Sequence, residues 1–119
     1  MRTKYYILDK VRKYDPTKNI VANAINHLTD RTEIELFLED YIEFLRTEFP
    51  GPDKRGSTAE IALSNIQFML GHYGDETIEK WYSIIPELEE FALGRRLVPY
   101  DDGEDLSKKL KTRMMIYSP

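Results

Sequence analysis

The stretch TEIELFLEDYIEFLRTEFPGP, residues 32–52, decides the fold. It opens with Thr32-Glu33-Ile34-Glu35, which has the S/T-x-x-E form of a capping box at a helix N-terminus. Large apolar side chains then recur three or four residues apart and predict a buried helix face: Ile34, Phe37, Leu38, Tyr41, Leu45 and Phe49. Acidic side chains predict the opposite, solvent-exposed face: Glu35, Glu39, Asp40 and Glu43. Pro50-Gly51-Pro52 ends the helix, because proline lacks a backbone donor and disfavours helix in the residue before it.

Helical signals of the same kind run through the rest of the chain. Residues 5–14 predict a short first helix, and Asp15-Pro16 predicts the N-cap and first-turn proline of a second. A second capping box begins at Ser57, and the helix it opens ends in the glycine-rich residues 71–74. Further starts are predicted at an Asp75 cap, at Pro86 and near Leu106, and Gly94 ends the helix that begins at Pro86.

No stretch alternates with period two for long enough to indicate a sheet. The chain is therefore predicted to be an all-α, single-domain bundle of five to seven helices spanning residues 1–119. We expect five apolar side chains to lie in its core: Phe37, Leu38, Ile66, Leu70 and Trp81.

The composition excludes several classes of site. The 119 residues carry a net charge of −4 and include 41% hydrophobic and 32% charged residues, as in an ordinary globular protein. The chain contains no cysteine, which rules out disulfides, zinc-thiolate and iron–sulfur sites, and cysteine nucleophiles. It has neither a signal-peptide-like apolar run nor a segment of about 18 apolar residues. We expect a cytoplasmic protein with no membrane partner.

Residues 51–58, Gly-Pro-Asp-Lys-Arg-Gly-Ser-Thr, approach the phosphate-binding pattern G-x-x-x-x-G-K-[ST]. Ser57 stands where the lysine should be, and a helix rather than a strand precedes the segment. We interpret it as a linker followed by an N-cap. A helix N-terminus beside Lys54 and Arg55 could still attract an anion.

Metal and nucleophile patterns are also weak. Di-iron helical bundles place glutamate three residues before histidine, but neither His27 nor His72 has one there. Glu35, Glu39 and Glu43 share one face and could offer carboxylates to a divalent cation, but such a row is more often the exposed side of an amphipathic helix, and we interpret it so. Ser64 lies mid-helix without a G-x-S-x-G elbow. We predict no metal, no cofactor, no small-molecule ligand and no enzymatic activity.

The charges are unevenly distributed. Residues 1–18 carry six basic and two acidic side chains, and residues 107–119 carry four basic and no acidic ones. Residues 30–48 carry seven acidic and two basic side chains, and residues 75–90 carry six and one. Such segregation is typical of solvated helix faces. It also suits a molecule whose basic ends meet an acidic partner, or its own acidic middle.

One functional hypothesis follows from the basic ends. Lysine and arginine interleave with tyrosine in the N-terminal segment, a mixture that combines phosphate contact with base stacking. The alternative function is therefore a small nucleic-acid-associated protein that uses its basic terminal segments, although the net negative charge opposes it. The candidate anion or nucleic-acid contacts are Lys54, Arg55, Lys108, Lys109, Lys111 and Arg113.

The favoured hypothesis rests on the aromatic residues. Eight tyrosines, five phenylalanines and one tryptophan are many for a chain of this length. Tyrosine joins a large apolar area to a polar tip and anchors protein interfaces. We expect a non-enzymatic protein–protein interaction module, with a protein partner or self-association as a homodimer. Tyr5, Tyr6 and Tyr14 are the candidate interface residues.

Residues 58–85 resemble a helix-turn-helix-shaped segment of uncharacterised bacterial and phage proteins, with the approximate pattern A-x-S-N-[IL]-G-Y-x-x-G-Y-Y-x-x-E-T. The residues that fall on the pattern are Ala62, Ser64, Asn65, Ile66, Phe68, Gly71, Tyr73, Glu76 and Thr77. Gln67 and His72 depart from it, and the H-P-x-F-G ending is missing. The resemblance implies a paired-helix unit and a prokaryotic or phage origin, and it implies no activity.

Overall fold

The computed structural model describes residues 5–48 and 58–93. Within these two ranges the chain forms six helices and no strand. The helices are α1 (Tyr6–Tyr14), α2 (Ile20–His27), α3 (Arg31–Glu48), α4 (Thr58–Leu70), α5 (Asp75–Ile84) and α6 (Pro86–Ala92). The predicted all-α bundle is confirmed. The predictions at Ser57, at Gly94 and near Leu106 lie outside the described residues.

The helices pack in a closed circuit around one apolar cluster. α3 and α4 contact each other, α1 and α2 pack on one side of this pair, and α5 and α6 pack on the other. The five predicted core residues belong to the cluster, and each is at most 1% exposed, so that prediction is confirmed. Among the described helices, none is both long and apolar enough to cross a membrane.

The second helix begins later than the sequence predicts. Asp15 does not cap it; instead, its carboxylate accepts hydrogen bonds from the backbone and hydroxyl of Thr17, at 3.1 and 2.6 Å. These bonds close a local turn and lower the pKa of Asp15. The true N-cap is Asn19, whose side-chain oxygen accepts from the Val21 amide at 2.8 Å. Asparagine and aspartate serve both turns and caps, so sequence alone could not separate the two roles.

The start of α3 also differs from the predicted one. The helix begins at Arg31, and the Asp30 carboxylate accepts from the Glu33 amide at 3.3 Å. Asp30 is therefore the N-cap, and Thr32 is an exposed residue of the first turn. The second partner of the predicted capping box, Glu35, is fully buried.

The predicted exposed face of α3 is wrong at three positions. Glu35, Glu39 and Asp40 are 0%, 3% and 1% exposed, and only Glu43 of this set is partly exposed. α1, α4 and α5 all pack on α3, so most of its circumference is covered. Charged groups are buried in proteins when they have partners, and each of these three buried carboxylates has one.

Two buried polar side chains of other helices form hydrogen bonds with the backbone at the two ends of α1. The Asp40 carboxylate of α3 accepts from the backbone amides of Ile7 and Leu8, at 2.9 and 3.1 Å. At the other end, the Asn23 amide group of α2 donates to the carbonyls of Val11 and Asp15, at 3.2 and 2.8 Å. These groups have no partner within an isolated helix. The first helix is thus capped by tertiary contacts.

The last two helices begin close to the predicted positions. Gly74 is the N-cap of α5, so Asp75 is its first residue rather than its cap, and its charge lies in the first turn, where the helix dipole favours anions. Pro86 is the first residue of α6, as predicted. The proline suits this position because its missing amide would have no helical partner there.

Candidate protein-binding surface

Helix α4 carries a single charged side chain, Glu60, in its first turn. Residues 61–74 contain no aspartate, glutamate, lysine or arginine, although such residues make up 32% of the chain. One side of the helix is buried through Ala59, Ala62, Leu63, Ile66 and Leu70. The opposite side, which we call the α4 face, consists of the exposed Ser64, Asn65 and Phe68 with the partly exposed Ile61 and Met69.

Phe68 is the most exposed large apolar residue of the described chain, at 73%. Its ring meets the His72 ring edge-on, with the centroids 5.5 Å apart. Scattered exposed apolar residues are normal in proteins, but this one lies on a helix face without charges. Phe68 was not among the site residues predicted from the sequence. The signal was its position two residues after the buried Ile66, outside the apolar stripe of α4.

Two grooves meet at the α4 face. The first groove has a volume of about 390 Å³ and is lined by Asn19, Val21, Tyr41, Ser64, Asn65, Phe68 and Met69. The second groove has a volume of about 200 Å³ and is lined by Glu60, Ile61, Ser64, Asn65 and Phe91. Ser64 and Asn65 line both grooves and therefore mark the centre of the face. Its exposed polar groups are a hydroxyl and an amide, which form hydrogen bonds without carrying charge.

The wall of the first groove is anchored to α3. The Asn65 amide group donates to the Tyr41 hydroxyl at 2.8 Å. The Tyr41 ring stacks on Phe37, with centroids 5.6 Å apart and planes 14° apart. Burial raises the pKa of Tyr41, and the hydrogen bond from Asn65 opposes the shift. Tyr41 is therefore neutral at physiological pH, and the wall it forms is fixed by packing on both helices.

Hydrogen bonds also fix α4 relative to its neighbours. The Gln67 side chain bonds the Tyr82 hydroxyl of α5, and its amide group donates to the Leu88 carbonyl of α6 at 2.8 Å. Beyond the end of α4, the Tyr73 hydroxyl donates to the Asn26 side chain of α2 at 2.8 Å. The α4 face therefore stands on a helix braced by three others, and its shape is largely formed before any partner binds.

The predicted interface residues on α1 do not form one patch. Tyr5 is partly buried, with its ring edge-on to Phe44 at 6.1 Å. Tyr6 and Tyr14 are 51% and 43% exposed, but they lie two turns apart, about 12 Å along the helix axis. Tyr14 stacks on His27, with ring centroids 4.3 Å apart. These two rings remain separate candidate contacts.

Several basic residues of α1 already have partners within the chain. Lys10 pairs with Glu33 of α3, and this hydrogen bond raises the pKa of Lys10. The Arg12 guanidinium lies 3.6 Å from the Asp9 carboxylate and 5.0 Å from the centre of the Phe44 ring. All six predicted anion or nucleic-acid contacts lie outside the described residues: Lys54, Arg55, Lys108, Lys109, Lys111 and Arg113.

Within residues 5–48 and 58–93, no three histidine or acidic side chains are placed to hold a metal ion. Comparisons of the chain with protein-family models, with curated proteins and with solved structures give no match.

Proposed function

We propose that this chain is a non-enzymatic helical module, of prokaryotic or phage type, that binds another protein through the α4 face. The observation that carries the proposal is the 73% exposure of Phe68 on a helix face without charged residues. The cores of protein interfaces are enriched in aromatic residues and methionine and depleted of charge, and the α4 face combines Phe68 and Met69 with no charged residue. The proposed origin rests on the resemblance of residues 58–85.

The α4 face supports the proposal better than α1 does. Tyr6 and Tyr14 lie among the charged residues Asp9, Lys10 and Lys13, as is typical of a polar rim. Phe68 instead borders a groove of about 390 Å³. A partner side chain could enter this groove while Phe68 packs against the partner. Grooves that accept apolar anchors are a common mode of helical recognition.

The proposal is tested by purifying tagged protein from its native host with proteins bound to it. The variant is Phe68→Ser, and the matched control is Tyr6→Ser, which removes an exposed ring from α1. We expect a co-purifying protein, or a second copy of the chain, to be lost with the first variant and retained with the control. Equal retention with both variants would place the binding surface elsewhere and refute the proposal.

The nucleic-acid hypothesis predicts a different outcome of the same purification. Nucleic acid would co-purify, and its affinity would fall steeply between about 50 and about 200 mM salt because phosphate contacts release counterions. Replacing Lys108, Lys109 and Lys111 by glutamine would then weaken binding and flatten the salt slope by about 0.9 for each lost contact. We expect no such binding, and tight salt-sensitive binding lost in the triple variant would favour the alternative.

A further inference from the structure

We infer that the partner of the α4 face is a second copy of this chain, related by a two-fold axis, with Phe68 of each copy inserted into the first groove of the other. The inference rests on the proposed function and names its partner. It is carried by the shape, charge and extent of the α4 face.

The shape of the face is complementary to itself. A two-fold interface joins the same patch on both copies, so the patch must carry both a projecting group and a matching recess. Phe68 projects at the edge of the first groove, and the groove is lined on its apolar side by Val21, Tyr41 and Met69. An apolar cavity of about 150 Å³ is large enough to hold benzene. The groove, at about 390 Å³, therefore has room for a phenylalanine ring.

The charge distribution favours the same pairing. The chain carries a net charge of −4, and five of the six acidic residues in 75–90 are exposed. Two copies that met through that segment would bring like charges together, at a cost in binding free energy. Residues 61–74 carry no formal charge, and only Glu60 adds an acid at the edge of the grooves. The α4 face therefore allows two identical acidic molecules to meet without like charges in contact.

The extent of the face sets the strength of the dimer. Together the two grooves are lined by ten residues, whereas a standard stable interface uses about 20–30 residues on each side. Small interfaces of this kind are weak and transient. The dissociation constant should therefore lie in the micromolar range or above, and measurements must reach about 1 mM protein.

The experiment uses sedimentation equilibrium of the full chain from about 10 μM to about 1 mM. We expect a monomer–dimer equilibrium, and in Phe68→Ala a dissociation constant raised by at least about tenfold, as for a central interface residue. Phe68→Leu keeps an apolar side chain at the contact, so it should raise the dissociation constant less than Phe68→Ala does. Since Phe68 is exposed, none of these substitutions should unfold the protein, and circular dichroism will verify this. The constant should change little with salt, because the face carries no charge.

A thiol test locates the contact independently. The chain has no cysteine, so Ser64→Cys introduces a single thiol at the centre of the α4 face. Disulfides need Cα atoms about 4.4–6.8 Å apart, a distance that two copies of a residue can reach only when it lies close to the two-fold axis. Mild oxidation should link Ser64→Cys into a covalent dimer much faster than Ser83→Cys, an exposed control on α5.

A wild-type protein that is monomeric at about 1 mM would overturn the inference. So would a dimer that Phe68→Ala leaves unchanged, or equal cross-linking at positions 64 and 83. If the protein is monomeric but loses a different co-purifying protein in Phe68→Ser, the proposed function stands and only self-association fails. If Phe68→Ser loses no co-purifying protein and Phe68→Ala also leaves the monomer–dimer equilibrium unchanged, the proposed function fails as well.

Discussion

The most demanding prediction concerns Asp40, which sequence analysis placed in solvent and the structure places in the core. Its carboxylate is 1% exposed and accepts from two amides at the start of α1. Hydrogen bonds to charged groups contribute about 1.5–3 kcal/mol each. Taking the lower figure for both bonds, Asp40→Ala should lower the free energy of unfolding by about 3 kcal/mol. Asp40→Asn keeps one acceptor oxygen but loses the charge, so about half of that loss is expected.

Urea denaturation followed by far-UV circular dichroism measures both losses. The matched control is Glu43→Ala on the same helix, which removes a partly exposed carboxylate lying 3.9 Å from Arg46. A partly exposed ion pair contributes little to stability, so Glu43→Ala should lower the free energy of unfolding by about 0.5 kcal/mol or less. Hydrogen exchange adds a local measurement, because the Ile7 and Leu8 amides should be protected in the wild type and exposed in Asp40→Ala. An alanine variant as stable as the control, with both amides still protected, would refute the proposed cap.

Three further predictions follow from the packing and the caps. Trp81 is 1% exposed, so Trp81→Ala should lower the free energy of unfolding by about 3–5 kcal/mol. The fluorescence of Trp81 in the native protein should be blue-shifted and resistant to quenchers. Asn19→Ala should cost about 1 kcal/mol in urea denaturation, as an N-cap does, whereas Thr32→Ala should cost almost nothing because Asp30 caps α3. Burial raises the pKa of Tyr41, so the unfolded tyrosine ionises first, near pH 10, and stability is lost as the pH rises toward the folded value. Tyr41→Phe should therefore lose less stability than the wild type between about pH 9 and about pH 11.

The existence and order of the helices could be predicted because apolar spacing and proline are local signals. Trp81 and Phe37 were correctly placed in the core, and Pro86 was correctly placed at a helix start. The exact starts were harder, since several capping residues lie close together. Asp15, Asn19 and Asp30 can all accept a hydrogen bond from a backbone amide. Only the three-dimensional path of the chain shows that Asn19 and Asp30 are N-caps and that Asp15 closes a turn.

The candidate site was less predictable, for a physical reason. Helical periodicity shows which residues share a face, but not which faces the neighbouring helices cover. α3 and α4 each pack against three helices, and the neighbours of α3 also cover its acidic side, so Glu35 is buried. α4 keeps one side uncovered, which leaves Phe68 in solvent. Apolar spacing identified the buried faces of both helices correctly, but the expected exposure of the α3 acids was wrong, and the exposed Phe68 was not identified.

The anchoring of α1 from other helices has a consequence during synthesis on the ribosome. Nine residues are too few for a helix to be stable alone in water. The first backbone amides of α1 find their acceptor only when Asp40, 33 residues after Ile7, has emerged and α3 has formed. The nascent segment should therefore stay largely non-helical until more than 30 further residues have left the exit tunnel. α1 would then become helical only together with α3, although it is translated before α3, and it would remain open to chaperones and proteases throughout that interval.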